Sequence, residues 1–237
     1  MVHPRAVLID LYDTLVESDW HEWHREMAKL LGVEPPVLRQ AFDVTRPARS
    51  VGAYPDVEEE MRAIVEATGV EDPPPELVQD LAAREFAFMA SRVRLHGDSI
   101  PVVLELRGRG VATALVSNCS HNTTPVVERL GLADAFDVVI LSFEVGARKP
   151  QPSIYLAALE ALGGVEPERA VFVDDQVPYC DGAAALGIGT RLILRREAPP
   201  PLEGWASRTN GHRVIGDLTA LLDDQWQVPE RSSTNGG

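Results

Sequence analysis

Long hydrophobic runs are missing from this 237-residue sequence: no stretch of about 18 apolar residues occurs, which excludes a membrane-spanning helix. Cysteine is scarce. The two present, Cys119 and Cys180, stand far apart and outside any CxxC pattern, and are expected as reduced thiols of a cytoplasmic protein. A nucleophilic Cys119 would need a partner base to which the sequence does not point. Positive charge is also in short supply, with 22 Lys and Arg against 36 Asp and Glu and a formal net charge of −14. That field repels a phosphate backbone, so a nucleic-acid partner is not expected. An anionic small-molecule substrate must instead be met by local positive charge. The opening residues MVHPRAVLID include a short apolar stretch without a small-residue cleavage site, so no signal peptide is expected. GRG at 108–110 lacks the spacing of a dinucleotide loop, and HEWHREM is not HExxH, because His21 and His24 are three apart. Beside Trp20 and Trp23 these histidines are expected to pack or to face solvent.

What is present is an ordinary globular balance, 45% hydrophobic and 24% charged, over a length sufficient for one core plus a small second unit. AVLI (6–9), ATALV (112–116), DVVIL (137–141), AVFV (170–173) and TRLIL (190–194) are short, nearly continuous apolar runs, as expected of strands covered on both faces. Between them IPVVLELRGRG, TTPVVERLGL, PSIYLAALEALGG and YCDGAAALGIG carry helical patterns, several ending in glycine. This alternation predicts an α/β fold with a doubly wound, Rossmann-like parallel-sheet core. HRVIGDLTALLDDQW adds a short strand and helix.

The alternation breaks once. From about 17 to 97 no strand is expected, while DWHEWHREMAKLLG, PPVLRQAFDV, DVEEEMRAIVEATG and PPELVQDLAAREFAFMASRV have helical periodicity. A small all-helical cap domain at 17–97 is therefore predicted, with the core at 1–16 and 98–226 and a disordered polar tail at 227–237. Ligands bind at the carboxyl ends of strands in open α/β sheets, so an insertion leaving just after the first strand makes a lid.

Residues following the strands converge on one sheet edge. They are Asp10, Tyr12, Asp13 and Thr14 after the first, Ser117 and Asn118 after TALV, and Asp174 and Asp175 after AVFV, with Lys149 opening the helix after VVIL. Singly, each has an ordinary reading as a turn residue, a cap or a solvated charge. Together they offer carboxylates, a hydroxyl, an amide and one cation, which suits oxyanion binding and displacement at a carboxylate nucleophile. Asp174 and Asp175 beside Asp10 would repel strongly unless a cation sat among them. His121 is expected in solvent, and Arg46 and Arg49 on a solvated helical face that could still greet an anion.

IDLYDTLV, LVSN, RKPQPSIY and VFVDDQVPYCDGA, in this order, resemble the four motifs of the haloacid dehalogenase-like (HAD) hydrolase superfamily, over residues 5 to about 195. The helical insertion resembles that superfamily's small α-helical cap. The resemblance implies that Asp10 is the nucleophile of a covalent aspartyl intermediate, that Ser117 and Asn118 hold an oxygen of the transferred group, and that Lys149 neutralises charge beside Asp10. In phosphatase members it implies Mg²⁺ as cofactor, held by Asp10, the main-chain carbonyl of Tyr12, Asp175 and, directly or through water, Asp174.

Tyr12 departs from the phosphatase pattern, which has an acid/base Asp there. A phenol of ordinary pKa about 10 is a poor base near neutrality. Haloacid dehalogenases carry Tyr at this place, because halide leaves without a proton. Their fourth motif, though, typically reads Ser-Ser-Asn with an Asp further on, where this chain has Asp174, Asp175, Gln176 and Tyr179. Asp13 either caps the turn or substitutes as acid/base. The expected activity is Mg²⁺-dependent hydrolysis of a small phosphorylated metabolite. The alternatives are a metal-independent 2-haloacid dehalogenase and a catalytically impaired binding protein.

Overall fold

The computed structural model describes residues 4–195 and 209–223. Among the described residues six parallel strands, in the order β5-β4-β1-β6-β7-β8, form the main sheet. They are β1 (Ala6–Ile9), β4 (Ala112–Ser117), β5 (Val138–Leu141), β6 (Ala170–Asp174), β7 (Gly189–Ile193) and β8 (Arg213–Ile215). The expected runs match the first five to within a residue or so at each end. β1 is central, and every residue in it is buried.

Period-two alternation sorts these strands onto two cores. Val7, Ile9, Leu115, Val171 and Val173 point into one. Ala6, Leu8, Ala114, Val116 and Phe172 point into the other. Helices α5 (Ser99–Gly108), α6 (Thr124–Arg129) and α7 (Leu132–Ala135) cover the first face. On the second lie α9 (Pro152–Ala161), with Ile154, Tyr155, Ala158 and Leu159, and α10 (Val177–Ala184), with Cys180 and Ala183; the single turn α8 (Ser142–Val145) follows β5. Each fully buried Leu, Ile or Phe contributes about 1.5–3 kcal/mol, so the doubly covered β1 anchors the fold.

Between β1 and α5 the chain makes four helices, α1 (Trp20–Leu31), α2 (Pro35–Arg49), α3 (Val57–Ala67) and α4 (Pro75–Arg92). Local chemistry delimits them. The Asp19 carboxylate accepts the Glu22 amide at 3.1 Å, and Asp56 accepts that of Glu59 at 2.9 Å, as helix N-caps do. Gly32 closes α1 in the left-handed region at φ 66°. A Cβ on Gly52 would collide with the Phe143 carbonyl, so glycine there permits α2 to approach α8.

One expectation fails inside the insertion. A short antiparallel ladder joins β2 (Val16–Glu17) to β3 (Arg94–Leu95), where no strand was expected. Two residues per strand are too few to show a periodicity. The ladder closes the neck of the insertion, where the Ser99 hydroxyl also donates to the Leu15 carbonyl at 2.7 Å. Arg195 grips the same neck, binding both Asp98 oxygens at 2.8 and 2.7 Å and the Thr14 carbonyl. The expected C-terminal helix is a single 3-10 turn, Leu218–Leu221. The tail at 227–237 lies outside the described residues. No helix of the described residues is long and apolar enough to cross a membrane.

Candidate active site

Parallel register brings the strand-end residues together. Ile9 pairs with Leu115 on one side and Val173 on the other, and the Asp10 amide donates to the Val173 carbonyl at 2.9 Å. Asp10 therefore sits beside Asp174, and their carboxylates with that of Asp175 offer oxygens that all lie within 4.8 Å of one another. Lys149, one of two lysines in the sequence, is buried and donates to Asp10 and, at 2.7 Å, to Asp174. It does not open a helix directly as expected: α8 intervenes after β5, and α9 starts three residues beyond it.

Asn118 holds that lysine in place. Its Oδ1 accepts the Lys149 amide at 2.7 Å and its Nδ2 donates to the Lys149 carbonyl at 2.9 Å. The side chain expected to hold a substrate oxygen is thus occupied by backbone. Ser117 is buried, and its hydroxyl has no partner among the described residues. Behind Lys149, a Cβ on Gly182 would lie 2.7 Å from Pro150 Cβ and 2.8 Å from its carbonyl oxygen, so α10 presses on the lysine loop.

The electrostatics are unbalanced. Burial pushes Asp10 up from its ordinary value, and Lys149 pulls it back. Asp174 is pushed up to about 7 and Asp175 to about 9, by burial first; Lys149 opposes the rise in Asp174, whereas Asp174 and Asp10 add to that of Asp175. Burial alone would lower Lys149, but Asp10 and Asp174 outweigh it and keep the ammonium charged. With all three carboxylates ionised, the one ammonium would leave two negative charges unmet, and the rise in Asp174 and Asp175 is the site's response to burial and to that crowding. Asp175 Oδ1 is buried without a partner among the described residues. All-oxygen donors, more carboxylates than the one ammonium can neutralise and this buried, unpartnered oxygen fit a hard divalent cation.

Tyr12 is not available as a base. Its hydroxyl is 2.8 Å from Thr123 Oγ1, its ring lies 5.9 Å from that of Trp20, and burial raises its pKa far above the ordinary value. Asp13 occupies the left-handed region at φ 59°. Its amide donates to the Val16 carbonyl at 2.8 Å, but its carboxylate has no hydrogen-bond partner among the described residues, so it does not cap the turn. The side chain is exposed, yet protein crowding and then the Asp10 charge raise its pKa.

A cavity of about 320 Å³ opens above Asp10, lined also by Tyr12, Asp13 and Asn118. Its far wall belongs to the insertion: Arg46 and Arg49, which the sequence offers as possible anion contacts, and Trp20, Phe42 and His24, which it does not, with Arg148 and Tyr179 from the core. His24 packs 4.5 Å from the Phe42 ring, and burial lowers its pKa to about 4, so it is a neutral packing residue as expected. Arg49 corrects the solvated-face expectation. It is only 8% exposed, whereas Arg46 does remain exposed. The spacing of Phe42, Arg46 and Arg49 at i, i+4 and i+7 is the signal that could have placed them on one face. His121 is likewise not in solvent, but bonded to Glu60 of α3 at 2.9 Å and packed on Phe143. Burial raises the Cys119 thiol to about 12, which leaves it inert.

A family profile described as haloacid dehalogenase-like hydrolase matches residues 4–187. Among curated proteins, the chain is 33% identical over 126 residues to the glyceraldehyde 3-phosphate phosphatase of Methanopyrus kandleri, covering 52% of this chain and 54% of that one. It is 36% identical over 149 residues to the phosphoserine phosphatase of Thermus thermophilus, covering 58% and 55%. The chain spans about half the length of the curated relatives it matches. Two solved structures share the fold at TM-score 0.64 and 22% identity. One is the magnesium complex of a HAD family enzyme from Bacteroides thetaiotaomicron, covering 86% of this chain and 98% of that one. The other is the 2-haloacid dehalogenase of Pseudomonas syringae pv. Tomato DC3000, covering 92% and 96%. With its four motifs gathered at one sheet edge and the profile matched over most of its length, the chain belongs to the haloacid dehalogenase-like hydrolase family.

Proposed function

We propose that this chain hydrolyses a small phosphate monoester with Mg²⁺ through an aspartyl-phosphate on Asp10. The observation that carries this reading is the crowding of carboxylates at the sheet edge: three of them around one lysine, with Asp175 Oδ1 buried and without a partner among the described residues. The phosphatase names of the curated relatives support it. Asp10, Asp174, Asp175 and the main-chain carbonyl of Tyr12 would hold the ion, which when bound supplies a Lewis acid for the phosphoryl oxygens.

An Asp10 oxygen attacks phosphorus, the ester P–O bond breaks, and the leaving oxygen takes a proton. Water then attacks the same phosphorus, the Asp10 O–P bond breaks, and phosphate departs with Asp10 regenerated. Lys149 offsets the carboxylate charge of Asp10 before attack and after release, and the charge on the phosphoryl oxygens in between. Asn118, bonded to the Lys149 backbone, acts as its positioning residue, and Ser117 offers its free hydroxyl to a phosphoryl oxygen. Tyr12 is committed to Thr123, so Asp13, the unpartnered carboxylate lining the cavity, is assigned the proton transfer. The insertion, spanning 17–97, serves as the lid that excludes water.

A panel of phosphate esters and 2-haloacids, with Mg²⁺ or with chelator, tests this directly. Phosphate release that a chelator abolishes is expected. Halide release without metal would instead establish the dehalogenase. An Asp10→Asn chain that matches wild type in every assay would leave only a binding protein.

A further inference from the structure

Arg49 carries its charge into the wall of the cavity without a carboxylate to meet it. It is 8% exposed. Its Nε donates to Thr45 Oγ1 at 3.1 Å, one Nη donates to the Phe42 carbonyl at 3.0 Å, and its guanidinium lies 5.2 Å over the Phe42 ring. The other Nη has no partner among the described residues. Glu60 and Glu85 stand near enough to stabilise the charge at a distance, but neither forms an ion pair with it; Glu60 is taken by His121. Arg148, next to the site lysine, lines the same cavity, and its guanidinium has no partner among the described residues. Arg46, the third arginine there, holds Asp43 loosely at 3.5 Å on the exposed side.

In a chain of net charge −14, three arginines at one cavity are a local reversal of sign. The phosphoryl end does not need them, since Asp10, Lys149 and the metal-type carboxylates meet it at the floor. A cavity of this volume is roughly 8–9 Å across, so a phosphoryl group at Asp10 leaves room for a short carbon skeleton and one further group. Trp20 and Phe42, with the neutral His24, supply the apolar contact for that skeleton.

Resting on the phosphatase reading above, we propose that Arg49, Arg148 and Arg46 form a second anion subsite, and that the substrate is a short phosphate monoester whose leaving moiety carries its own carboxylate or second phosphate. Both groups accept the planar fork of a guanidinium, which explains arginine rather than lysine at all three places.

Matched substrates separate the possibilities. With Mg²⁺, kcat/KM is compared for phosphoglycolate against ethylene glycol monophosphate, and for glycerol 1,3-bisphosphate against glycerol 1-phosphate. Wild type is expected to favour the anionic member of at least one pair about tenfold or more, as one charge-assisted contact allows; the pair with the larger ratio names the group. Arg148→Gln and Arg49→Gln should bring that ratio to within about threefold, and Arg49→Lys should keep part of it. Arg148 is a loop residue whose guanidinium has no partner among the described residues, so its variant serves if Arg49→Gln does not fold. Equal ratios in wild type would overturn the subsite while leaving the phosphatase reading intact. Calorimetry of 3-phosphonopropionate against propylphosphonate, on wild type and Arg148→Gln, needs no turnover. If no ester is hydrolysed but the carboxylate still tightens binding in an Arg148-dependent manner, the phosphatase reading fails and the subsite stands. Equal binding of the two phosphonates and equal hydrolysis of both pairs would end it.

Discussion

At the sheet edge Lys149 is buried against two carboxylates, Asp10 and Asp174, whereas on the insertion Arg49 is buried against a hydroxyl, a carbonyl and an aromatic ring. The contrast lies in what each region leaves unmet. The edge has more negative charge than its one ammonium offsets, and the insertion wall has a guanidinium whose counter-charges stay beyond ion-pair contact. Burying an unpaired charge costs several kcal/mol, so neither imbalance is expected in a region whose only task is to pack. One calls for a cation and the other for an anion. The two ends of one cavity are therefore electrostatically opposite, and the metal-bound phosphate ester with an anionic tail proposed above would satisfy both.

Breaking the edge should have the largest effect. Lys149→Met leaves Asp10 and Asp174 facing each other without their shared cation, and a loss of about 3–5 kcal/mol is expected in chemical denaturation. Excess Mg²⁺ should raise the midpoint of this variant more than that of wild type. Unchanged stability would mean that the lysine does not hold the carboxylates together.

Gly182→Ala reaches the same lysine from behind. The added methyl would meet Pro150 at 2.7 Å, including its backbone, so about 2–3 kcal/mol of stability should be lost and turnover should fall with it. A variant that keeps wild-type stability and rate would show that the lysine loop tolerates displacement.

The insertion side has a pH signature. Burial raises Glu85 to about 7 from an ordinary 4.5, with Arg49 pulling it back and Glu60 adding to the rise. The folded chain thus binds more protons than the unfolded one between these values, and stability falls as pH climbs from about 4.5 to 7. Glu85→Gln should remove that part of the slope, on the order of 2 kcal/mol across the window. Parallel curves of stability against pH for the two proteins would refute it.

The smallest effect belongs to the contact between the regions. His121→Ala removes the 2.9 Å bond to Glu60 and the packing on Phe143, and about 1 kcal/mol is expected. No loss in thermal unfolding would mean that the insertion docks on the core without this tie.

These two regions also differ in how plainly the sequence announces them. AVLI and AVFV are fully buried, nearly unbroken apolar runs, and parallel strands put their last residues on one edge whatever lies between them. Asp10, Ser117, Asp174 and Asp175 could therefore be placed from chain order alone, and Lys149 followed with them. The wall of the insertion could not be placed in that way. Phe42 and Arg49 share a helical face by periodicity, but which face meets the cavity depends on how α2 packs on α3, α4 and the core. His121 and Glu60 are 61 residues apart, and Tyr12 and Thr123 are 111 apart. No local pattern records such pairs.

By itself, then, the sequence determined a doubly wound sheet, a helical insertion after β1 and a carboxylate-bearing loop at the sheet's edge, because periodicity and strand-end position are local properties. Tertiary structure alone decided that Asn118 clamps the lysine loop, that the Tyr12 hydroxyl is spent on Thr123, that the Asp13 carboxylate has no hydrogen-bond partner among the described residues and that Arg49 lies buried. Those outcomes depend on which side chains meet across long sequence separations, and on how much water their meeting excludes.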